Sequence, residues 1–478
     1  MRVFKQWPIY FVGRMFPAAI AFGGIALYTR LLDPKSFGTY ALCLSMSFFI
    51  GLTGFSWLRV AALRMMAGIE GAERADYGAT MAVSFAGTAA LVALAVTAAL
   101  RIYSPALPWS SVLLTAAGTV ASAWFELNVT LLQARLNLAG YGALQAARAI
   151  VGLAASLLLI AAGLKANALL GGFAAGNCAS LGALGLWRTS LGGTFRSDIF
   201  RRLFRFGWPS SASSLSYFSN TFQRYALAGA AGSAAVGIFS AAYDFAAQTI
   251  GLLIGTATLA GQPLAFRARD LASHDALSDQ LRDNAQLVFG VALVSAAGLI
   301  TLAGPVSHLY FGPKFRSDAE IILALSAAVM FFSGFRASYF EQAFEITLKT
   351  RPLAIMTVIR IALTVGLSAW LIPRYGAVGA ALAVLAAEVT GFVASIVWAS
   401  RVVHMPVPVA GFGKIALAAL AMVGAILLVP GRTSVAGLIL AVLAGVVAFA
   451  LTFALLHARR MRALLGMWGA PAPEGTRP

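Results

Sequence analysis

The chain has 478 residues, of which 60% are hydrophobic and 11% charged, and its mean hydropathy is +0.83. A water-soluble domain of this length has no use for so much apolar surface, because too little polar surface is left to cover it. The net charge of +18 invites a nucleic-acid partner, but membrane topology accounts for it, and no nucleic acid is expected.

Apolar runs of 18 or more residues recur along the chain, the pattern of helices that cross a hydrocarbon core of ~30 Å. The basic start, MRVFKQW, looks like a signal peptide. The first run outlasts a cleavable signal, so it reads as a retained helix. Spans are expected over residues 8–30, 37–59, 79–101, 109–132, 141–163, 167–187, 208–230, 234–262, 285–304, 319–346, 352–372, 376–400, 411–430 and 434–457. The expected class is all-α: a polytopic membrane protein of about fourteen helices.

With the N-terminus in the cytoplasm, 22 of the 35 Lys and Arg fall on the inner side, 8 on the outer side and five within spans. That split is what the positive-inside rule predicts, and anionic lipid at the inner face favours it. Both termini are then cytoplasmic. Residues 188–207 (RTSLGGTFRSDIFRRLFRFG) alternate basic and aromatic side chains and read as a short amphipathic helix on the bilayer surface. Residues 263–283 are polar with mixed sign and read as a solvated loop with helical character. Cys43 and Cys178 lie far apart in apolar runs and suggest neither a disulfide nor a metal site.

One hairpin is repeated. YTRLLDPKSFGTYAL, between the first two spans, has an echo in LAGAAGSAAVGIFSAAYDF, where Gly38-Thr39-Tyr40-Ala41 aligns with Gly237-Ile238-Phe239-Ser240. Six spans separate the copies, so they point the same way and mark two parallel halves. The expected organisation is an N-terminal bundle over 1–190, a basic linker over 191–207, a C-terminal bundle over 208–402, two further spans over 403–460 and a tail over 461–478.

TRLLDPKSFGTYAL resembles the first-hairpin signature of the polysaccharide transporter family, which includes the O-antigen and exopolysaccharide flippases. That family belongs to the multidrug/oligosaccharidyl-lipid/polysaccharide exporter superfamily. FRFGWPSSASSLSYFSNTFQRYALAGAAGSAAVGIFSAAYDF, VSHLYFGPKFRSDAEIILAL and IPRYGAVGAALAVLAAEV resemble later family segments in the same order. Together they cover most of residues 10–400. The resemblance implies two pseudo-symmetric six-helix bundles around a central cavity, with the last two spans outside that core. It implies flipping of an undecaprenyl-diphosphate-linked oligosaccharide from the cytoplasmic to the periplasmic leaflet of the bacterial inner membrane. Lipids and other polysaccharide-assembly proteins are the implied partners. Many members carry an acid in span seven where this chain has Gln223, so a coupling role for that acid does not transfer.

Ionisable groups inside spans are functional candidates by default. A diphosphate moving through a low-dielectric layer needs cations to replace its water, and Arg does this with bidentate geometry. Arg14 and Arg224, in comparable spans of the two halves, are the first candidates for a pyrophosphate clamp, followed by Arg336 and Arg360. Each has a structural alternative: interfacial anchoring for Arg14, a network with Glu341 and Glu345 for Arg336, and a pair with Glu388 or Glu345 for Arg360. Arg148 reads as snorkelling to the headgroups. Asp244, Glu126, Glu341 and Glu388 are candidates for ion coupling, and Asp244 and Glu126 are equally candidates for neutralising arginines.

Most aromatics near span ends form interfacial belts. Tyr217, Phe222 and Tyr225 lie within span seven and are candidates for sugar or lipid contact. No GxxxxGK[ST] segment, nucleophile–base motif or metal-ligand spacing is present, so no cofactor is expected beyond an ion gradient or the membrane potential. Two alternatives remain at this stage. One is an ion-coupled drug or cation exporter of the same superfamily; the other is a membrane polysaccharide polymerase or ligase.

Overall fold

A hydrocarbon core offers the backbone no hydrogen-bond partner, so each crossing segment must satisfy its own N–H and C=O groups as a helix. The computed structural model describes residues 2–65, 71–135, 137–182, 192–270, 274–347, 351–403 and 405–457, and within these all side chains except 2–15, 71–72, 138, 182, 212–213, 215–216, 259–270, 274–277 and 345. Among the described residues there is no strand. The first six spans are α1 (Arg2–Leu31), α2 (Pro34–Met65), α3 (Gly71–Tyr103), α4 (Trp109–Ala134), α5 (Leu138–Ala161) and α6 (Lys165–Cys178). A surface helix, α7 (Ser197–Gly207), precedes α8 (Leu215–Asp270), α9 (His274–Thr301), α10 (Ala303–Tyr310), α11 (Arg316–Phe335) and α12 (Gln342–Thr347). The chain ends with α13 (Arg351–Val402), α14 (Val409–Leu428) and α15 (Val435–Leu456). The polar stretch over 263–283 is helical at both ends, since α8 runs to Asp270 and α9 begins at His274.

Among the described residues, ten helices are long and apolar enough to cross a membrane. Two of them, α8 and α13, are each a pair of spans folded at a glycine. Gly232 (φ 82°, ψ 169°) and Gly376 (φ 54°, ψ −129°) leave the helical region, and their positive φ excludes most side chains. The reversal is large. Arg224 and Asp244 would lie about 30 Å apart along a straight helix yet touch at 2.7 Å. α1 and α6 lie where the first and sixth spans are expected, and residues 183–187 of the expected sixth span lie outside the described residues.

Residues 1–245, 311–319 and 361–387 form one compact unit, and residues 246–310, 320–360 and 388–478 form a second. The core of the first unit lies among α2, α3 and α4, where Phe55, Phe85 and Trp124 meet at ring-centroid distances of 5.0 Å. In the same unit the repeated hairpins pack on one another. A Cβ on Gly38 would sit 1.7 Å from the Ser233 carbonyl oxygen, and one on Gly237 would sit 2.1 Å from the Pro34 carbonyl oxygen. Pro34 precedes Gly38 by four residues just as Ser233 precedes Gly237, so the contact is reciprocal. Small residues at such a crossing let two backbones approach as closely as helices can.

In the second unit, α9 packs on α14: Phe289 stacks on Phe412 with ring centroids 4.2 Å apart. Between α11 and α12 the chain widens into a π-turn over Arg336–Phe340, closed by a hydrogen bond from the Glu341 N–H to the Arg336 carbonyl.

Candidate substrate-handling site

Within the first unit α2 and α4 each turn a helical stripe towards a common cavity. Residues Leu52, Phe55, Ser56 and Arg59 of α2, and Thr119, Ser122, Ala123 and Glu126 of α4, follow the i, i+3, i+4, i+7 spacing of one helix face. Phe85 from α3, Arg148 from α5 and Tyr217 from the start of α8 add to the lining. The Glu126 carboxylate accepts from Arg148 Nη1 at 3.2 Å and from Arg59 Nη1 at 3.5 Å. Arg148 also lies over the Phe125 ring, 4.6 Å from its centroid. Packing brings Arg148 to this point, because the Gly172-x-x-x-Gly176 face of α6 lets α5 approach so closely that a Cβ on Gly176 would lie 2.7 Å from the Arg148 carbonyl oxygen.

The three charges sum to one excess cation. Among the described residues, most guanidinium N–H groups of Arg59 and Arg148 have no acceptor. The hydroxyls of Ser47, Ser56, Ser122 and Thr119 add further polar groups. The cavity volume is about 220 Å³, below the ~300–1,000 Å³ of sites that enclose a drug-sized ligand. A phosphate-sized anion fits such a space and an oligosaccharide does not.

The hinge in α8 builds a second charged feature. Arg224 Nη2 donates to Asp244 Oδ1 at 2.7 Å, with the arginine side chain 11% exposed and the aspartate 37%. The neighbouring Gln223 is fully buried and donates its amide to the Ala380 carbonyl at 2.7 Å and to Ser368 Oγ at 3.4 Å. Where the resemblance expects an acid, this chain therefore has a neutral group with its hydrogen bonds satisfied.

The second unit holds the remaining buried charges. Arg336 donates to Glu341 through Nη1 and to Glu388 Oε2 through Nε and Nη2 at 3.3 and 3.0 Å. Arg360 Nη1 reaches Glu388 Oε1 at 3.3 Å. Two cations and two anions make this tetrad neutral, and none of its side chains is more than 16% exposed. The π-turn is the reason for the first pairing. Residues five apart on an α-helix differ by about 140° around the axis, and one extra residue in the turn brings Arg336 and Glu341 together.

Of the sequence candidates, Glu126 lies in the cavity, Arg224 and Asp244 pair across the hinge, and Arg336, Arg360, Glu341 and Glu388 form the tetrad. Arg148 pairs with Glu126 inside the protein instead of snorkelling, because a carboxylate lies within its reach there. Tyr217 lines the cavity, Phe222 packs against Phe218, and Tyr225 donates to the Leu42 carbonyl at 3.4 Å. The side chains of Arg14 and Glu345 fall outside the described residues. Sequence does not single out Arg59, because the expected second span ends on it. The helix in fact runs to Met65, and the apolar Val60-Ala61-Ala62-Leu63 stretch after Arg59 is the available signal.

Residues 3–269 match the family model described as polysaccharide biosynthesis protein. The chain belongs to the polysaccharide biosynthesis protein family. No functionally curated protein matches this family member. Among solved structures it is similar to the lipid II flippase MurJ in an inward closed conformation, with a TM-score of 0.78 over 95% of this chain and 99% of that one, at 15% identity. It is also similar to an inward-facing multidrug-resistance MATE transporter of the MOP superfamily, with a TM-score of 0.59, 16% identity, and 82% and 98% coverage. A mutant of the Vibrio cholerae MATE transporter VcmN gives a TM-score of 0.53 at 16% identity over 83% and 94%. At these identities the likeness establishes the fold: this polysaccharide biosynthesis family member is a multi-pass membrane protein of the MurJ and MATE architecture.

Proposed function

We propose that the protein is a flippase, not an enzyme, and that it moves an undecaprenyl-diphosphate-linked oligosaccharide from the cytoplasmic to the periplasmic leaflet of the bacterial inner membrane by alternating access. The observation that carries this reading is the excess cation in the α2–α4–α5 cavity. A site for cationic drugs needs an excess of carboxylate, whereas Arg59 and Arg148 around the single Glu126 favour an anion. Here the diphosphate meets Arg59 and Arg148, with Arg14 and Arg224 as further contacts, while the sugar lies outside this small cavity. Arg336 and Arg360 can meet a phosphate only if Glu341 and Glu388 release them, so the tetrad belongs to the conformational part of the cycle. Asp244 and Glu126 are the groups best placed to exchange partners during that cycle, under an ion gradient or the membrane potential.

The test is leaflet transfer of fluorescent undecaprenyl-diphosphate oligosaccharide in proteoliposomes. The parent protein is expected to transfer it, and an Arg59→Gln, Arg148→Gln double variant to slow transfer at least tenfold. Unchanged transfer by the double variant would remove the clamp. No transfer by the parent, together with cation-coupled dye export, would replace the flippase with a drug exporter.

A further inference from the structure

The linker helix α7, with Trp208 just past its end, carries three adjacent rows of side chains, each at i, i+4 spacing. Ile199, Leu203 and Gly207 form the buried row against α2. Phe200, Phe204 and Trp208 form the next, stacked at centroid distances of 5.9 and 5.3 Å. Arg201 and Arg205 follow, both exposed, and among the described residues neither has a carboxylate partner. The aromatic row roofs one end of an apolar groove between α2 and α3, with a volume of about 630 Å³. Trp57 supports the roof, 5.3 Å from Phe204 and 6.1 Å from Phe200.

The groove follows one face of α3 from Val83 to Ala95, about 18 Å at 1.5 Å per residue. Half of a ~30 Å hydrocarbon core is about 15 Å, so the groove is as deep as one leaflet. It is rigidly held at both ends of the linker. Asp76 accepts from Thr194 N–H at 2.8 Å, and the Arg196 N–H reaches Thr80 Oγ1 at 3.0 Å. At the other end Gly207 lies on the Trp57 backbone, and Ser211 and Ser214 bond to Ser56 and Thr53.

From this arrangement we propose that the groove is a binding site for one anionic phospholipid of the leaflet that α7 faces. Its acyl chain lies under the aromatic row, and its phosphate is held by Arg201 and Arg205. The one-leaflet depth and the arginine row beside the aromatic roof favour such a lipid over the much longer polyprenyl chain of the cargo. The site is separate from the transport cavity, which lies on the opposite face of α2, and it ties the linker to the lipid composition of that leaflet.

Gly87 lines the groove, and nothing lies within 4 Å of a Cβ built there, so a side chain can start from this position and Gly87→Trp is the substitution chosen to occupy the groove. Detergent-purified protein is mixed with phosphatidylglycerol, phosphatidylcholine or undecaprenyl phosphate, and bound lipid is counted by native mass spectrometry. Retention of one phosphatidylglycerol, at least fivefold over phosphatidylcholine, is expected. Arg201→Gln with Arg205→Gln should erase that preference, and Gly87→Trp should erase retention itself. Equal retention of the two phospholipids, no effect of either variant, or stronger retention of undecaprenyl phosphate that Gly87→Trp abolishes would each overturn the proposal.

Discussion

Glu126 and Asp33 show how much a single carboxylate decides in this chain. Glu126 divides its two oxygens between Arg148 and Arg59, so it competes with any anion that enters the cavity. Charge-assisted hydrogen bonds contribute about 1.5–3 kcal/mol each, and about 1.4 kcal/mol is a factor of ten in affinity. Glu126→Gln is therefore expected to tighten pyrophosphate binding about tenfold, measured by isothermal titration, and to slow leaflet transfer, because release is then the harder step. Weaker binding in this variant would mean that Glu126 orients the arginines instead of competing for them. Asp33 does its work at the start of α2, where Oδ1 accepts from the Ser36 N–H at 2.9 Å and Oδ2 from the Ser36 hydroxyl at 2.8 Å. Burial opposes its ionisation, but these two bonds outweigh burial and hold the carboxyl below its usual range. A depressed carboxylate stabilises the fold above its unfolded value of about 3.9 and loses that contribution as pH falls through the lower folded value. Asp33→Ala should cost about 1 kcal/mol at pH 7, seen as a lower melting temperature, and the gap to the parent should close below about pH 4.

At the level of elements, the glycine crossing between α2 and the second arm of α8 is the contact most suited to opening and closing. Both partners are helix ends from the repeated hairpin, and each glycine lies against a backbone oxygen that has no rotamer with which to move aside. Gly38→Leu and Gly237→Leu are each expected to force the hairpins apart, and the double variant should add little, because both act on one contact. A cysteine placed at Ser122, with Cys43 and Cys178 replaced by serine, reports the consequence. Its reaction with a membrane-impermeant maleimide added on the side of the repeated hairpins should rise several-fold in the leucine variants. Unaltered reactivity would show that the hairpins are a fixed buttress and that the cavity opens elsewhere.

Across the whole molecule, what could be read from sequence follows from what the solvent enforces. Lipid leaves the backbone only helices, so apolar runs count the spans, and the breaks expected over 230–234 and 372–376 fall at the two glycine hinges. Arg59 escapes because protein packing continues past it along one side of α2: Ala61 and Ala62 are fully buried while the neighbouring Leu63 is exposed, and such an end has no hydropathy edge. The choice of Glu126 as partner for Arg148, and the π-turn that joins Arg336 to Glu341, depend on packing that periodicity does not encode. The last two spans, expected from the resemblance to lie outside the core, can be judged the same way. The buried Tyr339 hydroxyl donates to the Pro406 carbonyl at 2.5 Å, and Phe412 stacks on Phe289 and meets Phe335 edge-on with centroids 5.8 Å apart. Ile415 and Met422 lie 3.7 Å from the Cβ positions of Gly290 and Gly298 on α9. Removing residues 404–478 would strand the Tyr339 hydroxyl, at about 1–3 kcal/mol, and strip the aromatic cluster beside the Arg336 tetrad. The truncated protein is expected to melt well below the parent, and Phe412→Ala alone to cost about 3 kcal/mol. A truncated protein that stays monodisperse, melts with the parent and still transfers lipid-linked sugar would make α14 and α15 an appendage; a folded chain that has lost only transfer would make them part of the route.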